Sequence, residues 1–196
     1  MQSIGFKEWA IVCAALGRGR QSIILRKGGI AEGSEGFSFQ HREFFLFPTW
    51  FHEQPQKVRD AELEMPEPSA GRIEVKYLAR LEVARVISSW RIAEALEPLH
   101  ILTPEVVRER FEYDQAPGLH VGFVRDFELS PAWTVVDEKK FGGCRSWVEL
   151  PEAPGELRLE EVSSDADHAR AREDFLRIVG PLRSGRRSAA SLPKKR

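Results

Sequence analysis

QHREFFLFPTWFHEQ, residues 40–54, is the stretch whose reading decides the fold. Phe44, Phe45, Leu46 and Phe47 form an unbroken apolar run, with His41, Arg42 and Glu43 before it and His52 and Glu53 after it. Read as a strand, 41–47 spans about 20 Å at ~3.3 Å per residue, which puts His41 and His52 at opposite ends with no shared metal. The stretch is then a core strand with polar rims, and neither a metal nor a cofactor is expected. Pro48 and Thr49 end the strand. Thr49 is placed to cap a short helix from Trp50 that Pro55 stops.

Working outward, residues 9–16 (WAIVCAAL) are apolar and followed by Gly-Arg-Gly-Arg, which reads as a strand and a turn. Glu8 and those arginines argue against a signal peptide there, and the segment reads as core. Residues 21–27 (QSIILRK) form a second strand, and the glycine-rich loop 28–36 leads to the third. That loop lacks the Gly-Lys-Ser/Thr ending of a phosphate cradle and opens no helix, so it reads as a hairpin loop with Arg26 and Lys27 at its mouth.

Residues 59–72 are acidic and contain proline, a surface loop. From Ile73 to Ile87 apolar residues alternate with polar ones, the pattern of a half-buried strand, with Arg85 as the exception. A helix begins at Ser88 or Ser89 and ends near Pro98. Thr103-Pro104-Glu105 starts another, closed by Pro117-Gly118. Residues 119–129 alternate again, interrupted by Arg125. Residues 142–150 (GGCRSWVEL) read as a final strand, and Ser164 caps a last helix over 165–179. The expected class is α+β, a mostly antiparallel curled sheet or small barrel with packing helices.

A chain of 196 residues, 42% hydrophobic and 30% charged, has the material for one domain, here 1–182, with a real core. No apolar run approaches the ~20 residues of a membrane helix. Cys13 and Cys144 are the only cysteines, which fits a reducing cytoplasm. The net charge of −1 conceals an uneven distribution: residues 183–196 hold six basic and no acidic residues, so removing +6 leaves −7 for the rest. This tail has too little apolar surface to order itself.

Three patterns compete for function. Glu74-Val75-Lys76 on a strand, with Asp60 upstream, matches a Mg²⁺-dependent nuclease in which carboxylates hold the metal and the lysine orients water. Arg85 and Arg125 each interrupt an apolar strand face, where a charge must be paired or point into a cleft. Arg26, Lys27 and Arg42 gather cations near the hairpin mouth. Cys144 has no histidine placed beside it and reads as a small hydrophobe.

The blocks QSIILRKGGI, EFFLFPTWFHEQ and GGCRSWVEL resemble a bacterial family known as domain of unknown function 1802, over about residues 6–151. The resemblance implies a restriction-modification setting, in which a separate nuclease or methyltransferase protein would be the partner. The order of elements from 73 to 129 is loosely similar to PUA-like barrels, which read modified bases or RNA. Together these imply a cytoplasmic, non-catalytic nucleic-acid-binding module using Arg26, Lys27, Arg42, Arg85 and Arg125, with Trp50 and Trp90 as stacking surfaces. The alternatives are the nuclease, with Mg²⁺ held through Asp60 and Glu74 beside Lys76, and a protein-interaction subunit.

Overall fold

The computed structural model describes residues 3–27, 37–113 and 116–180; the glycine-rich loop 28–36 and the basic tail 183–196 lie outside them. Along the described chain the elements are β1 (Ile4–Trp9), α1 (Ala10–Gly17), β2 (Ile23–Arg26), β3 (Glu43–Thr49), β4 (Arg72–Ile87), α2 (Trp90–Ala95), α3 (Pro104–Glu112), β5 (Leu119–Val136), β6 (Trp147–Glu149), β7 (Arg158–Glu161) and α4 (Asp165–Val179). One sheet runs β2-β5-β4-β3-β1-β6, and β7 pairs with β5. Only β1 with β3 is parallel among these ladders. The class is α+β with a mostly antiparallel, curled sheet.

β3 explains the opening run. Phe44 and Leu46 enter a core shared with Phe6, Phe123, α1 and Phe175 of α4. Phe45 and Phe47 enter a second core with Val75, Leu78, Trp133 and Phe141. Period-two alternation disappears because neither face meets water. β4 serves both cores through an irregularity in its ladder with β5 between Val75 and Tyr77. Ile73, Val75 and then Leu78 face the second core, while Tyr77, Ala79, Leu81, Val83 and Ile87 pack in the first. The unpaired β5 residues opposite that irregularity include Pro131, which has no N–H to give a ladder.

Four expectations need correction. The second and third strands do not pair as a hairpin: β2 pairs with β5, and β3 with β1 and β4, so Arg26 and Arg42 do not share a hairpin mouth. Residues 10–17 are a helix, not a strand. Every residue from Ala10 to Leu16 is buried, so the helix is apolar all round and shows no period to read. Thr49 caps nothing: it ends β3 and its hydroxyl donates to the Glu8 carbonyl at 3.0 Å. A 3-10 turn over Gln54–Lys57 follows, and Pro55 sits in its first turn instead of stopping a helix. The strand expected over 142–150 contracts to Trp147–Glu149, and β7, whose sequence Arg-Leu-Glu-Glu shows one apolar residue, gave no signal. The caps at Thr103 and Ser164 form as expected, each side chain accepting from a backbone N–H three residues on.

Below α4, Asp126 of β5 is 6% exposed and lines a cavity of about 90 Å³ with Ser22, Ser163, Asp167 and His168. Burial pushes its carboxyl from 3.8 to about 8, and its Oδ1 has no hydrogen-bond partner.

Phe44→Ala and Phe45→Ala are each expected to cost about 3–5 kcal/mol in urea unfolding. A cost below about 1 kcal/mol for either would mean that one face of β3 is not core. Asp126 supplies a second expectation. The folded chain holds a proton that the unfolded chain releases, so the associated stability is complete below the ordinary carboxyl value and is lost as pH rises toward about 8. His100, which burial lowers to about 3, works in the opposite direction, and only below its ordinary 6.5. The denaturation midpoint should therefore fall between pH 6.5 and 8, and Asp126→Asn should flatten that slope. A level or rising wild-type midpoint in this window, or an unchanged slope in the variant, would contradict the assignment.

Candidate functional site

The sheet ends in β2 on one side and β6 on the other, and the curl brings these edges together. Arg26, the last residue of β2, donates from Nε to the Ser146 hydroxyl at 3.0 Å, one residue before β6. Its guanidinium lies 5.6 Å from the centre of the Phe6 ring. Phe37 fills the seam, stacked on Trp147 at 6.3 Å and edge-on to His120 at 5.4 Å. Phe39 lies against β5 at Gly122, where a Cβ would come within 2.7 Å of its ring. Glycine is required there by the close approach.

Cations converge on this seam. Lys7 of β1 is 8% exposed and donates from Nζ to the Gly143 carbonyl at 2.9 Å. Its pKa is lowered by burial first, then by Arg145 and Arg26, with Cys144 opposing. Arg110 reaches in from α3. Its Nη1 donates to the Leu25 carbonyl at 2.7 Å, its Nη2 lies 3.7 Å from Glu8 Oε1, and its guanidinium sits 4.4 Å from the centre of Trp9. Burial lowers the Arg110 pKa, Glu8 raises it, and Arg26 lowers it again. Lys7, Arg26, Arg110 and Arg145 are thus linked through their fields. Glu8, 1% exposed, is a buried carboxylate beside Arg110. Its Oε1 accepts from the Trp9 amide at 2.9 Å, and its Oε2 has no partner. Like charges held in a partly dry seam favour an anion that can neutralise them.

The residues expected from sequence separate. Arg26 is at the seam, and Lys27 beside it donates from Nζ to the Ala116 carbonyl. Arg42 is exposed just before β3. Arg85 pairs in register with Val121, which pairs in turn with Leu25, so it lies one row from Arg26 across β5. Its Nη1 donates to the Ala84 carbonyl, and its Nη2 is buried without a partner. Arg125 is taken up by the fold: it pairs with Glu161 at 2.7 Å and Asp165 at 2.6 Å, joining β5 to β7 and the start of α4. The hydrogen bond to Asp165 leads the causes that raise its pKa.

The nuclease residues do not meet. Asp60 accepts from Arg20 at 2.9 Å, a bond that lowers its pKa, in a depression shared with Arg18, Glu62 and Leu63. Glu74 and Lys76 pair with each other at 2.9 Å on a different cleft. No group of three or more His, Cys, Asp or Glu side chains is arranged to hold a metal among the described residues. His41 stands edge-on to Trp147 at 4.9 Å, and His52 lies exposed beyond the other end of β3. Trp50 donates its indole N–H to the Pro66 carbonyl, and Trp90 packs on Phe111 with Arg108 3.8 Å from its ring centre. Sequence reading missed Lys7, Glu8, Arg110 and Arg145. Lys7 and Glu8 did leave a trace, as charges inside the otherwise apolar stretch from Ile4 to Leu16.

Residues 5–174 match the family described as domain of unknown function (DUF1802). The chain belongs to this family. The match extends beyond the 6–151 anticipated from the three blocks and takes in β7 and most of α4. No curated protein matches the DUF1802 chain. Among solved structures it is similar to two mutants of ZmASCH from Zymomonas mobilis, at 13% and 14% identity, each with a TM-score of 0.47. These superpositions cover 77% and 78% of this chain and 89% and 92% of the other. It is also similar to ASCH from Zymomonas mobilis, at 10% identity and a TM-score of 0.45, covering 88% of this chain and 94% of that one. No helix among the described residues is long and apolar enough to cross a membrane.

Proposed function

We propose that this chain is a non-catalytic nucleic-acid-binding module that takes backbone phosphate at the seam between β2 and β6. The supporting observation is the gathering of cations where β2 meets β6: Lys7 bonded to the Gly143 carbonyl, Arg26 to Ser146 next to Arg145, and Arg110 to the Leu25 carbonyl beside Glu8. Arg26 and Arg110 are both fixed by hydrogen bonds that draw on part of their guanidinium donors. Each has five N–H groups, so others are left to receive phosphate oxygens. Lys27, next to Arg26 in the chain, adds a further cation at the end of β2. Phosphate contacts of this kind supply affinity and register without reading bases. In the restriction-modification setting that the family likeness suggests, the chain would work in the cytoplasm, and a separate nuclease or methyltransferase protein would supply the chemistry.

The test is fluorescence anisotropy with a short labelled single strand, as DNA and as RNA, across a salt series. With three phosphates engaged, log affinity should fall against log salt with a slope of about −2, since each contributes roughly −0.7. Arg26→Gln combined with Arg145→Gln should weaken binding about tenfold or more, because charge-assisted bonds are lost at two positions. Replacing the tail's six basic residues with serine should leave a binding component that the double variant removes. Undetectable binding at low salt, or a double variant that binds like the wild type, would overturn the proposal.

A further inference from the structure

A cleft of about 570 Å³ opens between α1, the start of β4 and the loop carrying residues 64–69. This is the size of a small-molecule site, for which roughly 300–1,000 Å³ is usual. Its floor is made by small side chains of α1, Ala10, Cys13 and Ala14. Burial raises the Cys13 thiol well above its ordinary pKa, so the floor carries no charge at neutral pH.

Two half-buried aromatic residues, Trp50 and Tyr77, line the walls, and both are held in place. The Trp50 indole is tied to the Pro66 carbonyl at 2.8 Å, which also fixes the loop. Tyr77 packs over Gly17, where a Cβ would fall 2.1 Å from its ring.

The rim sets the charge of what can enter. Glu74 and Lys76 satisfy each other at 2.9 Å. Glu64 and Glu67 have no ion-pair partner among the described residues, and Arg18 offsets one of them. The uncommitted rim is therefore net negative, opposite in sign to the seam. An apolar floor, aromatic walls and surplus carboxylates select a flat organic body with a positive or N–H-donating edge and disfavour an anion. We infer that this cleft is a second binding site, independent of the seam, for a flat heteroaromatic amine.

The experiment uses the full chain and 9-aminoacridine, a flat fluorescent cation, with anthracene-9-carboxylate as a competitor of similar shape and opposite charge. Saturable binding of one 9-aminoacridine per chain is expected, and excess anthracene-9-carboxylate should not displace it. Glu64→Gln combined with Glu67→Gln, both exposed positions that leave the core intact, should raise the dissociation constant about threefold to tenfold. Ala14→Leu, which fills the floor, should abolish binding in a variant whose circular dichroism is native. Non-saturable binding, displacement by the carboxylate, or a glutamine double variant that binds like the wild type would each overturn the inference. None of these outcomes bears on phosphate binding at the seam, which is read with different variants.

Discussion

Burial of β3 on both faces is the constraint on which the remaining structure depends. Phe44 and Leu46 demand cover on one side and Phe45 and Phe47 on the other, at about 1.5–3 kcal/mol for each side chain removed from water. One sheet face can be covered by helices, and α1 and α4 do so. Among the described residues, the second face receives no α-helix. It is closed by the far halves of β4 and β5, with Trp133 and Phe141 completing the core. For these strands to serve both cores, the buried positions must change parity partway along, and the two ladder irregularities, after Val75 and after Leu81, accompany that change in β4 and β5. Ladder irregularities of this type also bend and twist strands, so the packing requirement and the curl have one origin.

The curl in turn creates the functional feature. A flat sheet would leave β2 and β6 far apart as open edges; here Arg26 and Ser146 join them. Arg110 reinforces the closure by holding the Leu25 carbonyl of β2 while lying beside Glu8 and Trp9 of β1. Closing an edge with cations blunts it against strand addition. It also concentrates positive charge where burial is partial and screening is weak, which is the ground for proposing the seam as an anion site. The same residues therefore serve the fold and the proposed function.

Much of the fold was legible because local chemistry and tertiary role agreed. Thr103-Pro104-Glu105 and Ser164 form the helix starts their residue types favour. The β4 alternation survived because its solvent face is exposed along most of its length. Reading failed where burial is complete, as in α1, since a run that is apolar on every side carries no period. It also failed at β7, an outlying strand whose four residues include one apolar side chain. The site was half legible. Arg26 could be picked out because it flanks a glycine loop, but Lys7 and Arg110 join it only through the meeting of distant edges, which no local pattern encodes. Arg85 and Arg125 were both visible as charges on apolar faces. Only the partners, Glu161 and Asp165 for Arg125, could show which of the two belongs to the scaffold.

On the proposed function, the seam cations, and not the arginine built into the scaffold, receive phosphate. Side-chain Nε–Hε resonances of ¹⁵N-labelled arginine, followed while a short single-stranded oligonucleotide is added, test it most directly. The Arg26 and Arg110 signals should shift and saturate together while the Arg125 signal stays fixed. Movement of Arg125 with Arg26 and Arg110 unchanged would contradict it.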